Sequence, residues 1–305
     1  MKYFKVKAER TAQRYEISLK KFIKETDRNY PFEQVNKSKT ISDYAICPSC
    51  LNPIQLIGLK ISDKKPYGRH TGKSIKDLRD WNYNKYRFCP YADKSAYHPP
   101  NDDYDDLEID DGIMGLYNLL KNQFDRVVYL ISKELEIRCD KRFWKEALNQ
   151  FLVNYGYCYT WLTEANLPYN FAYIGMLHTN VWGQKIKANS ELYSALKKYP
   201  GVCFDMSDKT YPKVCNKKDF LDLHFRFTRY EQKAAEGSKL IETMVFCVDD
   251  FSNGNTLFEK EITFDETYFM NLVNKSDNDD KRQQWLLDIA NELMVGIEVN
   301  RGQGG

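Results

Sequence analysis

Two cysteines separated by two residues constrain this chain more than any other feature of its sequence. Cys47 and Cys50 lie in the segment Ile46-Cys47-Pro48-Ser49-Cys50, and this CPxC spacing allows two thiolates to bind one metal ion from a single tight turn. Pro48 favours the turn because its ring fixes the backbone φ angle. The segment therefore predicts half of a metal site, whose other ligands must come from elsewhere in the chain.

Two later residues have the chemistry to complete this site. His70 ends the motif PYGRH and Cys89 lies in FCPYA, which gives the overall pattern C-x2-C-x19-H-x18-C. Three thiolates and one imidazole fill the tetrahedral shell of Zn²⁺, so we expect a structural zinc ion without an open catalytic position. His98 competes with His70 for the fourth position.

The motifs CPxC, PYGxH and FCPYA, which span residues 47–92, resemble a set found in uncharacterised bacterial proteins. No established activity accompanies that resemblance, and the rest of the chain takes no part in it. It implies that Cys47, Cys50, His70 and Cys89 belong to one constellation. It implies nothing about a substrate.

A CxxC pair can also serve redox chemistry or occur as free structural thiols. A redox-active CxxC opens a helix in a thioredoxin-like unit, whereas here Pro53 and a β-like apolar run follow the pair. Free structural thiols are the remaining alternative. The zinc deaminase signature is absent because Ile46 precedes Cys47 and no H-x-E motif occurs, and H-E-x-x-H is absent as well.

The segment Gly68-Arg69-His70-Thr71-Gly72-Lys73-Ser74 is similar to a phosphate-binding loop but departs from it in two ways. Only three residues separate its glycines, where the motif requires four, and a polar stretch precedes it in place of a strand. The sequence therefore predicts no nucleotide-binding loop here.

Charge is distributed unevenly along the chain. Residues 1–100 contain 21 Lys and Arg against 10 Asp and Glu, and residues 101–111 (NDDYDDLEIDD) contain seven acids and no base. A basic region attracts polyanions, although a solvated surface screened by salt is an equal alternative. The candidate nucleic-acid contacts are Arg69, Lys73, Lys76, Arg79, Trp81, Lys85 and Arg87. Aromatic rings can stack on the bases of a single-stranded nucleic acid while neighbouring cations contact its phosphates. The same aromatic residues can equally form a small core over the metal site.

Hydrophobic periodicity predicts the elements after the acidic run. Apolar residues at helical spacing run from Ile113 to Leu135, and further helices are expected over Lys141–Thr163, Asn170–Val181, a segment capped by Ser190, and Asp279–Met294. Alternating patterns predict strands over Asp222–Thr228, Ile241–Val248 and Leu257–Phe264, joined as an antiparallel meander.

The expected fold class is α+β, with a zinc-ribbon-like or treble-clef-like N-terminal module, a helical layer and a C-terminal antiparallel sheet with a terminal helix. A chain of 305 residues favours several units. We expect a basic zinc-binding module at 1–98, an acidic linker at 99–111, a helical region at 112–200, an α+β region at 201–296 and a flexible tail at 297–305.

Three further groups of residues were considered as sites. Asp222, His224 and Arg226 share one face of a predicted strand and could form an acid-base group, but such residues are more often the solvent side of a sheet. Cys158 lies among aromatic residues and is expected to be a core thiol. Cys203 and Cys215 could form a second metal-binding pair, yet they lack the two-residue separation of a CxxC motif.

These patterns leave three function hypotheses. The first is a zinc-stabilised binding protein or complex subunit, part of a multi-protein system, which contacts nucleic acid or an acidic protein partner through its basic module. The second is a metal-dependent nuclease or related hydrolase. The third is a structural module for protein–protein assembly. No apolar run is long enough to cross a membrane, and no signal peptide is recognised, so we expect a cytoplasmic protein with reduced thiols.

Overall fold

The computed structural model describes residues 1–9, 12–35, 39–61, 65–89, 91–92, 109–177, 179–217, 221–234, 240–275 and 282–295. The chain forms two compact units. One consists of Met1–Leu107 with Tyr159–Trp161, and the other of Glu108–Cys158 with Leu162–Gly305. Helices and antiparallel sheets are both present, so the expected α+β class is confirmed.

The first unit is built around an antiparallel meander of four strands. Its elements are β1 (Tyr3–Phe4), β2 (Tyr15–Glu16), α1 (Leu19–Thr26), β3 (Glu33–Val35), β4 (Ile41–Ile46), β5 (Pro53–Ile57), β6 (Tyr67–His70) and α2 (Tyr83–Arg87). The sheet has the order β3-β4-β5-β6, and β1 pairs with β2. A backbone bridge between Lys5 and Ile46 continues β1 beside β4. The sequence did not predict β6 or α2, because the composition from Lys64 onward is typical of turns.

The core of the first unit is small and includes the cysteines. Phe4, Phe22 and Ile54 are fully buried, and the core cluster they belong to also contains Cys47, Cys50 and Cys89. An interior of this size stabilises a domain weakly, so a metal cross-link between its elements would add substantially to its stability.

The second unit contains the longest helix and two further sheets. Its elements are α3 (Asp111–Leu135), β7 (Ile137–Arg138), α4 (Lys141–Val153), α5 (Leu167–Gly175), β8 (Thr179–Asn180), β9 (Lys185–Ile186), α6 (Glu191–Lys198), β10 (Val202–Asp205), β11 (Lys213–Asn216), β12 (Leu223–Ala234), β13 (Leu240–Asp250), β14 (Asn255–Thr263), α7 (Glu266–Val273) and α8 (Gln284–Leu293).

The sheets of the second unit join residues that are distant in the sequence. One has the order β10-β11-β9-β7 and the other the order β14-β13-β12-β8. The meander of β12, β13 and β14 agrees with the prediction. Strands from 112–200 and from 201–296 contribute to both sheets, so the helical region and the α+β region share their hydrogen-bond ladders.

Two predicted helices have different ends in the structure, and the fourth begins as predicted. The helix expected over Lys141–Thr163 stops at Val153, because Tyr155 adopts a left-handed φ of 49°. Gly156 follows in a short 3-10 turn, where a Cβ atom would lie 2.3 Å from the ring of Phe151. Similarly, α5 spans Leu167–Gly175 and ends before Val181. Ser190 caps α6 by accepting a hydrogen bond from the Tyr193 amide at 3.0 Å.

The last predicted helix is also shorter than its pattern, since α8 covers Gln284–Leu293 and α7 was not predicted. Residues 276–281, most of the acidic linker and the tail at 297–305 lie outside the described residues. Asp110 caps α3 by accepting a hydrogen bond from the Ile113 amide at 2.8 Å. Within the described ranges, no helix combines the length and the apolar character that a membrane span requires.

Candidate metal centre

The CPxC knuckle lies in the turn between β4 and β5. Cys47 directly follows β4, and its amide donates a hydrogen bond to the Asn52 carbonyl oxygen at 2.8 Å. The Leu51 amide returns a hydrogen bond to the Cys47 carbonyl oxygen at 3.2 Å, and Leu51 takes a left-handed φ of 60°. This closed turn places the side chains of Cys47 and Cys50 in the interior, where both are almost fully buried.

The other two candidate ligands reach the knuckle through the sheet and through α2. His70 is the last residue of β6 and pairs with Ile54 of β5, so it lies at the same end of the sheet as the knuckle. Cys89 follows α2 and is oriented by a hydrogen bond from its amide to the Tyr86 carbonyl oxygen at 2.9 Å. The backbone therefore brings all four residues together from three separate segments.

Their ligand atoms are spaced as a tetrahedral ion requires. The Sγ atoms of Cys47 and Cys89 are 3.8 Å apart, and Nε2 of His70 lies 3.2 Å from Sγ of Cys50 and 3.7 Å from Sγ of Cys89. All four atoms lie within 4.8 Å of one another. Tetrahedral zinc with Zn–S and Zn–N bonds of about 2.3 and 2.05 Å separates two sulfurs by about 3.8 Å and sulfur from nitrogen by about 3.5 Å. The four side chains therefore fit such an ion.

The three thiols strongly perturb one another. Burial raises the pKa values of Cys47 and Cys89. Burial acts in the same direction on Cys50, but interactions with Cys47, Cys89 and His70 outweigh it and lower the Cys50 pKa. Crowded buried thiols cannot all ionise without a cation between them, whereas a bound metal ion deprotonates a coordinating thiol. The donor set is thus suited to a divalent ion of soft or borderline character.

Asn52 forms a hydrogen bond with Cys50, a contact that the sequence pattern does not predict. Its amide nitrogen donates to Sγ of Cys50 at 3.4 Å and to the Asn82 carbonyl oxygen at 2.8 Å. Its amide oxygen accepts a hydrogen bond from the Asn82 amide at 2.7 Å. Asn52 is 1% exposed, and a buried amide directly after the knuckle in an otherwise apolar stretch was the available signal. Groups in this position orient metal ligands.

Aromatic side chains cover the imidazole of His70. The rings of Tyr86 and Trp81 contact it edge-on, with centroids 5.0 and 6.1 Å away, and are themselves 5.0 Å apart. Tyr83 continues the cluster at 6.4 Å from Tyr86 and remains exposed. Two half-buried rings therefore pack against His70, one of the candidate metal ligands.

A buried lysine lies near the candidate metal centre, since Lys5 pairs with Ile46, the residue before Cys47. Lys5 is fully buried, and its Nζ atom donates to the Glu9 carbonyl oxygen at 2.8 Å. Burial, with the nearby charge of Arg14, lowers the pKa of Lys5 to about 8, while Cys47 and Glu9 act in the opposite direction. Three thiolates around a divalent ion would carry a net charge of about −1, which a protonated Lys5 would balance.

No protein-family model, curated protein or solved structure matches this chain. Its own geometry must carry the functional argument. Among the described residues, the four ligand candidates are the one group of three or more His, Cys, Asp or Glu side chains able to hold a metal ion. His98, the competing fourth ligand, lies outside the described residues.

Five of the seven candidate nucleic-acid contacts have exposed side chains, whereas Trp81 is half-buried against His70. Arg69 precedes His70 on β6, and Lys73, Lys76 and Arg79 follow in a loop closed by a bridge between Ile75 and Arg79. Lys85 is exposed on α2, whereas the side chain of Arg87 is outside the description. Within the described part of the chain, no carboxylate forms an ion pair with these five exposed cations.

The other candidate residues lie in the second unit. His224 is 2.6 Å from a carboxylate oxygen of Asp222, and its ring stacks on Phe251 with centroids 5.0 Å apart. Arg226 instead pairs with Asp249, which also accepts a hydrogen bond from Thr256. The expected face is therefore divided between the Asp222–His224 hydrogen bond and the Arg226–Asp249 ion pair. Cys158 is buried, as predicted.

Proposed function

We propose that the first unit is a zinc-stabilised, ribbon-like module that binds nucleic acid through the exposed cations beside its metal centre. We call Arg69, Lys73, Lys76, Arg79 and Lys85 the cationic surface. The observation that supports the proposal is that these exposed side chains lie on the segment from β6 to α2, which contains His70 and leads to Cys89.

Zinc is the ion favoured by the donor set. Thiolates and imidazole suit Zn²⁺ in tetrahedral geometry, whereas Mg²⁺ and Ca²⁺ require oxygen ligands. Four protein donors leave no position for a water molecule, which supports a structural role and counts against the nuclease alternative. The knuckle on the β4–β5 hairpin supports the ribbon-like description, since two of the ligands then come from one hairpin turn.

A polyanion is the partner whose charge complements this surface. Cations that form no ion pair among the described residues lose little on binding phosphates, and release of counterions from the nucleic acid adds to the affinity. Exposed Tyr83 offers an additional ring on which a base can stack. These features favour nucleic acid over an acidic protein, whose carboxylates are spaced irregularly.

The proposal is tested by fluorescence anisotropy with single-stranded and duplex DNA and RNA at increasing salt. Binding should weaken steeply as salt rises, with a slope on the logarithmic plot of about one unit per phosphate contact. The double variant Lys73→Glu with Arg79→Glu should bind at least about 10-fold more weakly to every sequence. Each variant must retain the metal content of the wild type.

The matched control is Lys198→Glu with Lys209→Glu, which makes the same charge change at two exposed lysines of the second unit. It should bind nearly as well as the wild type. Equal losses in both double variants would show a general charge effect and contradict the proposed surface. Absence of any binding at low salt would reject nucleic acid as the partner.

A further inference from the structure

Two cysteines outside the metal centre face each other across a pair of strands. Cys203 on β10 lies directly opposite Cys215 on β11 in the antiparallel register. Both side chains are partly exposed, and neither is in a disulfide. Their sequence spacing gave no sign of this relationship, because only the pairing of β10 with β11 brings them together.

The register fixes how closely the two backbones approach. The Lys217 amide donates to the Gly201 carbonyl oxygen at 2.8 Å, so Gly201 and Lys217 form a hydrogen-bonded pair. Hydrogen-bonded pairs alternate along an antiparallel ladder, which makes Cys203 and Cys215 the next pair of this kind, with Cα atoms about 5.5 Å apart. Disulfides join Cα atoms separated by about 4.4–6.8 Å, and directly opposed side chains lie on the same face of the sheet.

The surroundings favour a dithiol over a second metal site. No third His, Cys, Asp or Glu joins these cysteines in a metal-binding group among the described residues. The Sγ atom of Cys215 lies 3.5 Å from the Lys213 carbonyl oxygen. Burial and the neighbouring Cys215 raise the pKa of Cys203, whereas the Lys217 ammonium lowers it.

We propose that Cys203 and Cys215 form a reversible disulfide by exchange with a low-molecular-weight disulfide. The thiolate of one cysteine attacks a sulfur of the small disulfide, which forms a mixed disulfide and releases one thiol. The second cysteine then attacks the protein sulfur of that mixed disulfide and releases the other thiol. The protein dithiol is oxidised by two electrons, and one small disulfide is reduced to two thiols.

The bond would link β10 to β11 and close the segment between them at the edge of the sheet. An exposed cross-strand disulfide is readily reduced, so the reaction is suited to reversal when the thiol pool becomes reducing. A bond between Cys203 and Cys215 closes a loop that includes the segment between β10 and β11. Closing it restricts the unfolded chain and should therefore stabilise the second unit.

The test uses the full chain with its metal, incubated with oxidised glutathione and then digested with trypsin without reduction. Cleavage after Lys198, Lys209, Lys213 and Lys217 separates the two cysteines into different peptides. We expect mass spectrometry to find peptide 199–209 joined to peptide 214–217, with both peptides released by dithiothreitol. The reaction should be faster at mildly alkaline pH, because the thiolate is the attacking species.

Two serine variants and a stability measurement complete the test. Cys203→Ser and Cys215→Ser should each abolish the joined peptide, and zinc content should not change in either. Oxidation should raise the unfolding temperature of the wild type by about 5 °C or more and leave that of Cys203→Ser unchanged. The proposal is overturned if the wild type does not react, or if glutathione remains on either cysteine without the second step.

Discussion

The Nε2 atom of His70 lies 3.2 Å from the Sγ atom of Cys50, although the residues are 20 positions apart in the sequence. The contact joins the end of β6 to the turn between β4 and β5. An ion held between them would therefore restrain the turn, the sheet and the segment after α2 together. Since the first unit has a small apolar core, its folding should depend on this connection.

The second unit should depend on buried polar groups, of which Asp250 is the clearest. Its carboxylate is fully buried and accepts hydrogen bonds from the Tyr199 hydroxyl at 2.8 Å and the Ser252 hydroxyl at 2.6 Å. Burial alone would raise its pKa, but these hydrogen bonds outweigh burial and hold the pKa of Asp250 below its ordinary value. Replacement of Asp250 by Asn should lower the free energy of unfolding by about 1–3 kcal/mol at neutral pH, because part of the network loses its charged acceptor.

The sign of the pH dependence follows from this lowered pKa. In the unfolded chain the carboxyl group of Asp250 titrates at about pH 3.9. Above that pH the charged carboxylate therefore contributes fully to the stability of the folded state. The contribution is lost as pH falls through the lower pKa of the folded state. Urea unfolding should therefore show the wild type losing more stability than Asp250→Asn between neutral pH and about pH 3. Asp288→Asn, at an exposed carboxylate, should follow the wild type, and identical pH profiles for all three proteins would contradict the account.

A buried ion pair joins α3 to the start of α8. Nε of Arg282 donates to a carboxylate oxygen of Asp125 at 2.7 Å, and a second Arg282 nitrogen donates to the Asn122 carbonyl oxygen at 3.0 Å. Asp125 is fully buried. Arg282→Met should destabilise the unit by about 3–5 kcal/mol, because it leaves the Asp125 charge buried without its partner.

A double-mutant cycle separates the ion pair from general packing. The double variant Asp125→Ala with Arg282→Met should lose less free energy of unfolding than the sum of the losses in the two single variants, because the uncompensated charge is then removed. Chemical denaturation of the four proteins provides the measurement. Strict additivity would mean that the two side chains do not interact, and would count against the proposed energetic role.

Gly175 marks a close approach between α4 and α5. A Cβ atom at this position would lie 2.6 Å from the Ala147 carbonyl oxygen, which is backbone and cannot rotate away. Gly175→Ala should therefore destabilise the unit by about 1–3 kcal/mol. Gly115→Ala is the matched control, because Gly115 lies in α3 with open space around its Cβ position. Gly115→Ala should raise the free energy of unfolding by about 0.5–1 kcal/mol. Destabilisation of similar size in both variants would contradict the close approach at Gly175.

The sequence correctly predicted which four Cys and His residues come together, because their chemistry is local and distinctive. Few residues bind soft metal ions, and the CPxC spacing restricts the search to the remaining Cys and His residues. The long periodic helix α3 and the meander of β12, β13 and β14 were predicted for a similar reason, since their apolar patterns extend over many residues. Strand β6 was missed because PYGRH has no alternation and lies in turn-like composition.

Features that depend on strand pairing, or on the backbone conformation of one residue, could not be predicted from the sequence pattern. The end of α4 depends on the left-handed Tyr155, which the apolar pattern does not reveal. Cys203 and Cys215 face each other only because of the β10–β11 register, and Asn52 acts on Cys50 only because α2 begins beside it. Each relationship is made by tertiary structure between separate segments.

Elemental analysis of the purified chain determines whether the four candidate ligands bind a zinc ion. The account predicts about one zinc ion per chain in the wild type and in Cys158→Ser, and loss of most of the zinc in Cys50→Ser and His70→Ala. Cys158 is the appropriate control because it is a buried thiol outside the centre. A wild-type protein produced with ample zinc that contains no stoichiometric metal, or a Cys50→Ser variant that retains all of it, would contradict the proposed centre.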